Sequence, residues 1–191
     1  MYLKRNNKLE IIKLYLGDYK RNVYLREISR LANIPLNNVQ QAVSSLEKDK
    51  ILKSRIQGKN KYFSLNLDNV KSKLYLLHAE IYKTQAFLEK YPQCKLFMKE
   101  HIDIPIIVFG SFAKFTAKDD SDLDLLIIAA EGTKLPLHLL PYKVHDIRIT
   151  KKSFVKALEK QETLIKEIEE SHVILNDHSF YVDVMWWHHA K

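Results

Sequence analysis

The sequence predicts an α+β protein in which a small helical module with a β-hairpin, a joining helix, and a second module with a small mixed sheet flanked by helices follow one another. Three observations point there. Helix-period apolar patterns fill residues 3–48 and give way to two β-prone arms within "ILKSRIQGKNKYFSLN". A heptad of apolar positions runs from Val70 to Tyr91. Beyond it, "IPIIVF" and "SDLDLLIIAA" are apolar runs of strand length, followed by further helical spacing. The expected modules are therefore 1–67, 68–100 and 101–191, with the first boundary moving to near residue 100 if the long helix belongs to the first module.

Composition bounds the classes open to such a chain. With 46% hydrophobic and 28% charged residues in 191, it holds enough apolar material for one large or two small cores. Its one cysteine, Cys94, excludes an internal disulfide framework and fits a reducing setting. The charged N-terminus is unlike a signal peptide, and no apolar run approaches the roughly 20 residues of a membrane span. A cytoplasmic location and no membrane partner are the expectation. The net charge of +8 is unevenly held: residues 1–67 carry 14 Lys/Arg against 5 Asp/Glu, and residues 68–191 carry 17 against 18. All the excess positive charge lies in the first third, which suggests a polyanion-binding module joined to one with a different task.

In the first module, Leu3, Leu9, Ile12 and Leu16 predict a helix ending at Gly17. Leu25, Ile28, Leu31 and Ala32 predict a second, ended by "NIP" with Pro35. In the third, Val39, Ala42, Val43 and Leu46 recur at i, i+3, i+4 and i+7, leaving Asn37, Asn38, Gln41, Ser44, Ser45 and Lys48 on the opposite face. Amides and hydroxyls so arranged can hydrogen-bond base edges while lysines take phosphates. A merely solvated helix face shows the same residue types. Next comes a hairpin about Gln57-Gly58-Lys59-Asn60, bearing Arg55, Lys59 and Lys61. Helix, helix, recognition helix and basic hairpin in this order resemble the winged helix-turn-helix family over roughly residues 5–67. The resemblance implies double-stranded DNA as partner, with residues 36–48 in the major groove and the hairpin on the backbone or minor groove.

Val70, Leu74, Leu77, Ile81, Thr84, Leu88 and Tyr91 alternate spacings of four and three. Such a seam suits pairing with its twin in a homodimer through residues 70–91, and equally suits packing on the chain's own modules.

The third segment carries the chemistry. "IPIIVF" leads into Gly110-Ser111, and the helix-like "FAKFTAKD" after it predicts about two helical turns. Glycine lets a backbone approach a phosphate, serine offers a hydroxyl, and a helix start favours an anion. "SDLDLLIIAA" then reads as a buried strand on which Asp122 and Asp124, two apart, face one side while Leu123 and Leu125 face the core. Carboxylates about 7 Å apart along a strand can grip a divalent cation or bridge two. All-oxygen ligands suit Mg²⁺ or Mn²⁺. Asp119 and Asp120 read as solvated loop residues.

Gly-Ser, a ten-residue gap and Asp-x-Asp opening a second strand make the chain resemble the minimal, polymerase-beta-like nucleotidyltransferases over roughly residues 100–185, matching their spacing at Gly110, Ser111, Asp122 and Asp124. The resemblance implies transfer of a nucleoside monophosphate from a triphosphate, ATP first among the candidates, to an acceptor hydroxyl, with Mg²⁺ or Mn²⁺ as cofactor. Asp122 and Asp124 would hold the metals. The family's third carboxylate is matched by Asp146 in "YKVHDIRIT", where His145, Ile147 and Ile149 are expected to face the core and Val144, Asp146 and Arg148 the other side. Asp146 would also take the acceptor's proton. Lys114-Phe115 stands where many relatives carry Arg-Gly, so Lys114 would hold the triphosphate without guanidinium's bidentate fork. Relatives modify proteins, antibiotics or RNA ends, and a protein acceptor fits a DNA-bound enzyme that regulates its own operon. The rival expectation is a transcription regulator that uses the third segment to sense a nucleotide or partner. Phe154, Leu158, Ile165 and Ile168 predict helical structure after Asp146, followed by a short strand in "HVILN" and a final helix or tail in which His188 and His189 carry no chemistry.

Overall fold

A computed structural model describes residues 5–100 and 102–190, which divide into two compact units: residues 5–82 with 185–190, and residues 83–100 with 102–184.

In the first unit the chain runs α1 (Asn7–Lys13), β1 (Val23–Tyr24), α2 (Leu25–Ala32), α3 (Leu36–Lys48), β2 (Leu52–Gln57) and β3 (Asn60–Leu65). Asn6 caps α1 by accepting from the Lys8 and Leu9 amides, so the helix begins at residue 7, and it loosens into turns after Lys13, short of the expected stop at Gly17; Leu3 lies outside the described residues. Of the apolar set on α2, Ile28 and Ala32 are buried while Leu31 is exposed. Asn33, left-handed at φ 50, ends α2, a conformation asparagine tolerates better than most residues. All four expected core residues of α3, Val39, Ala42, Val43 and Leu46, are buried. The antiparallel sheet has the order β1-β3-β2. Its hairpin closes with Gly58 at φ 62 as first central residue, as a two-residue II′ loop requires.

Helix α4 (Val70–Lys90) carries the chain from the first unit into the second. The heptad seam is not its buried face as a whole. Thr84 is buried, but Val70 is 67% exposed, Leu74 54% and Ile81 39%, whereas the neighbouring stripe of Ser72, Leu76 and Ala79 is buried. Ser72 donates its hydroxyl to the Ile51 carbonyl at 3.1 Å, which ties that stripe to the first unit.

The second unit is built on a mixed sheet of β4 (Ile106–Phe109), β5 (Leu123–Ile128), β6 (Val144–Ile149) and β7 (Val173–Asn176), in the order β6-β5-β4-β7. β4 is antiparallel to β5 and β7, and β5 is parallel to the edge strand β6. Leu123, Leu125 and Ile127 join Phe87, Cys94, Phe97, Phe112 and Leu175 in one core, while Leu126 and Ile128, buried too, alternate to the other face. Between β4 and β5 lies α5 (Gly110–Ala113), one turn where two were expected. After β6 come α6 (Lys151–Glu159) and α7 (Thr163–Glu170), parted at Gln161, whose φ of 55 breaks helical continuity, and then α8 (His178–His189) follows β7. Among the described residues no helix is long and apolar enough to cross a membrane.

Candidate active site

The site grows from the way β4 and β5 meet. Their register sets Phe109 level with Asp124, so the residue after Phe109 turns directly over that carboxylate. That residue is Gly110, buried, with φ 67. A Cβ built on it would overlap the Asp124 Oδ2 and lie 3.3 Å from Cγ. Glycine is needed twice over here: for the left-handed backbone, and because the carboxylate fills the space a side chain would take. Phe112 and Ala113 anchor the turn in the core, while the half-buried Ser111 presents a hydroxyl with no hydrogen-bond partner among the described residues. Lys114 is exposed at the end of α5. Phe115 follows with φ 59, a left-handed position that favours the glycine this chain lacks. Its ring is held 6.3 Å from Phe87 and 6.5 Å from Tyr91.

Asp122 stands immediately before β5 and Asp124 is its second residue. Leu123 and Leu125 are fully buried, which leaves the two carboxylates on the opposite side of the strand, 39% and 27% exposed. Both meet positive or protonatable groups from β6 and the residue before it. Lys143 Nζ donates to Asp122 Oδ2 at 2.8 Å, and this hydrogen bond, with the carboxylate's charge, raises the lysine pKa. His145 Nδ1 lies 3.2 Å from Asp124 Oδ1. Asp119 and Asp120 are exposed in the loop.

The register of β6 decides where Asp146, the expected third carboxylate, stands. Parallel pairing puts His145 level with Asp124 and Asp146 level with Leu125. Level residues of neighbouring strands share a face, so Asp146 lies with the core-facing leucines, and its Oδ2 accepts from Arg148 Nε at 2.6 Å. Arg148 in turn donates through Nη1 to the Thr133 carbonyl at 2.7 Å. The expected alternation along β6 holds, but its sides are reversed: Val144 packs on the core cluster, and His145, 64% exposed, faces the acidic pair. Sequence reasoning did not place His145 or Lys143 beside the aspartates; their two-residue spacing, at β6 and just before it, was visible, but only the register assigns it to the aspartates' side.

Whether a divalent ion fits can be judged from the donors. Among the described residues no three His, Cys, Asp or Glu side chains stand where together they could hold a metal ion. Two carboxylates on one strand face, one pressed against a side-chain-less turn and the other holding an ammonium, are nonetheless oxygen donors of the kind Mg²⁺ and Mn²⁺ take, and in that sense the residues fit.

In the first unit Asn37, Asn38, Gln41, Ser44 and Lys48 are all exposed along α3, and Arg55, Lys59 and Lys61 are exposed on the hairpin. Lys61 Nζ is partly committed, donating to Glu47 Oε2 at 2.8 Å. That bond, together with one from the Ser54 hydroxyl, holds the Glu47 carboxyl below its ordinary pKa. A groove of about 530 Å³ is lined by Arg26, Leu36, Gln40, Lys59 and Lys61 among others. Arg26 and Gln40 were not singled out from the sequence; Gln40, three residues after Asn37 and four before Ser44, is exposed on the same polar side of α3.

Residues 93–180 match the family model described as polymerase beta, nucleotidyltransferase. This stretch, a little under half of the chain, contains Gly110, Ser111, Asp122, Asp124 and His145, and it is similar to the nucleotidyltransferase domains of that family. No curated protein and no solved structure matches the chain.

Proposed function

We propose that the second unit transfers a nucleoside monophosphate from a nucleoside triphosphate, ATP being the first candidate, to an acceptor hydroxyl, and that the first unit is a winged helix-turn-helix reader of double-stranded DNA. The observation that carries the transferase reading is the contact of Gly110 with Asp124, which joins the phosphate-approaching turn to the acidic pair. Gly110 and Ser111 would take the triphosphate, Lys114 its outer charge, and Asp122 with Asp124 the divalent ions. Ions so held supply charge neutralisation for the departing pyrophosphate and lower the pKa of the attacking hydroxyl. Asp124, anchored by His145 and Gly110, keeps its carboxylate aimed at the turn. Lys143 holds Asp122 in place until a stronger cation competes for it. Incubation of the chain with α-labelled ATP, Mn²⁺ or Mg²⁺ and cell lysate tests this. A labelled species is expected with wild type and none with Asp124→Asn; equal labelling by both would refute the assignment.

The DNA reading is supported by the exposed polar stripe of α3, the basic hairpin and the charge held in residues 1–67. A homodimer through the exposed Val70, Leu74 and Ile81 would suit a palindromic duplex; sedimentation of the full chain tests it, with Leu74→Glu as the expected monomer. The separation of Asp146 from the acidic pair favours a second reading, a transcription regulator whose nucleotidyltransferase domain senses a nucleotide or a partner protein. That reading expects triphosphate binding with no pyrophosphate release in any lysate.

A further inference from the structure

Three rings from separate stretches of the second unit meet: Tyr91, just past α4, Phe112 in α5, and Tyr142, two residues before β6. The centroids of Tyr91 and Phe112 lie 4.9 Å apart, and those of Phe112 and Tyr142 4.7 Å. Resting on the transferase reading, we propose that the cavity walled by these rings holds the purine ring of the nucleoside triphosphate, so that the site selects ATP-like substrates over pyrimidine nucleotides.

The cavity measures about 330 Å³, at the lower end of small-ligand sites, and the exposed Gln93, Lys118 and Asp119 give its lining polar groups. An aromatic cluster that served only the core would leave no buried donor unmatched. Tyr91 does: it lines the cavity, is 8% exposed, and its hydroxyl completes no hydrogen bond among the described residues. Burial raises its pKa, and the neighbouring Ala117 backbone lowers it, as a donor does, so the tyrosine's own proton still lacks an acceptor. The ring nitrogens of a purine are such acceptors. A purine's edge also asks for a group that both gives and takes, and Gln93 is one. Its Oε1 accepts from the Tyr142 hydroxyl at 3.3 Å, which leaves a second lone pair and the amide hydrogens for a base. Tyr142 is half-buried and keeps ring surface for stacking, of which a purine's two rings use more than a pyrimidine's one. The chain also ties this cavity to the acidic pair. Phe112 is two residues past Gly110, in the turn given to the triphosphate, and Tyr142 directly precedes Lys143, whose ammonium holds Asp122.

The test titrates the full chain calorimetrically with the α,β-methylene analogues of ATP and CTP in Mg²⁺, so that no transfer occurs. Wild type is expected to bind the ATP analogue about tenfold or more tighter than the CTP analogue. Tyr142→Leu keeps apolar bulk but loses the ring; it should weaken the ATP analogue about tenfold, leave the CTP analogue within about twofold, and be rescued by Tyr142→Phe. Tyr91→Phe should weaken the ATP analogue a few-fold without lowering the urea midpoint, because the proton it removes had no acceptor. That variant reads the same preference if Tyr142→Leu does not fold. Three results would overturn the proposal while the bound triphosphate leaves the transferase reading standing: no preference for the ATP analogue in wild type, a preference that either Tyr142→Leu or Tyr91→Phe leaves unmoved, or equal weakening of both analogues by Tyr142→Leu. Binding of neither analogue by wild type would overturn both.

Discussion

Replacing Gly110 with alanine tests the joint between turn and acidic pair. Two costs add. An alanine held at φ 67 loses roughly 1–2 kcal/mol relative to glycine, since left-handed backbone crowds Cβ against the following carbonyl. The new methyl also meets the Asp124 carboxylate, which must swing away or push β5 aside, a forced repacking of about 1–3 kcal/mol. A total of roughly 2–5 kcal/mol is expected in urea unfolding followed by circular dichroism. The two terms separate in a double-mutant cycle. In an Asp124→Ala background the clash is gone and only the backbone term remains, so the pair should couple by about 1–3 kcal/mol. Gly58→Ala is a second control, with φ 62 and nothing within 4 Å of the added Cβ, and should show the backbone term alone. Additivity of Gly110→Ala and Asp124→Ala within about 0.5 kcal/mol would refute the reasoning, because it would mean that glycine and carboxylate do not press on one another.

Other consequences follow from single contacts. Lys143→Met removes the ammonium that competes at Asp122 and should tighten Mn²⁺ binding a few-fold at low salt, measured by counting free Mn²⁺ with electron spin resonance; weaker binding would show that the lysine helps gather the site. Burial pushes the Cys94 thiol from 9.0 up to about 11, so the unfolded chain gives up that proton first: stability is retained below pH 9 and lost as pH rises toward 11, and Cys94→Ala should flatten that part of the urea midpoint profile. In duplex-binding assays Lys59→Ala should weaken all sequences alike and reduce the logarithmic salt slope by about one, whereas Gln41→Ala should cost about 1–3 kcal/mol on the preferred sequence alone.

How much of this was legible in the sequence differs by element. β4 and β5 could be read because continuous apolar runs have few other uses, and Asp122 and Asp124 stood out at their mouth with two-residue spacing. The face assignment on β6 was not readable. An edge strand with Val144, Ile147 and Ile149 interleaved with polar residues shows two faces without saying which lies beside the aspartates; only parallel pairing with β5 decides for His145. The length of α5 was overestimated because its composition is helical, whereas Phe115 turns left-handed and ends it. On α4 the heptad count selected one apolar stripe, but a helix of mixed composition offered a neighbouring stripe of Leu76 and Ala79, and packing on the first unit took that one. On α3 the apolar period was unambiguous, and its four core positions are all buried.

The most direct measurement compares where two labels go. With wild-type protein, acceptor-containing lysate and Mn²⁺, ATP labelled at the α-phosphorus should mark a macromolecule or small acceptor, ATP labelled at the γ-phosphorus should mark nothing, and Asp122→Asn and Asp124→Asn should abolish the first signal. An acceptor marked by the γ-label, or α-labelling that persists in both variants, would contradict nucleotidyl transfer at this acidic pair.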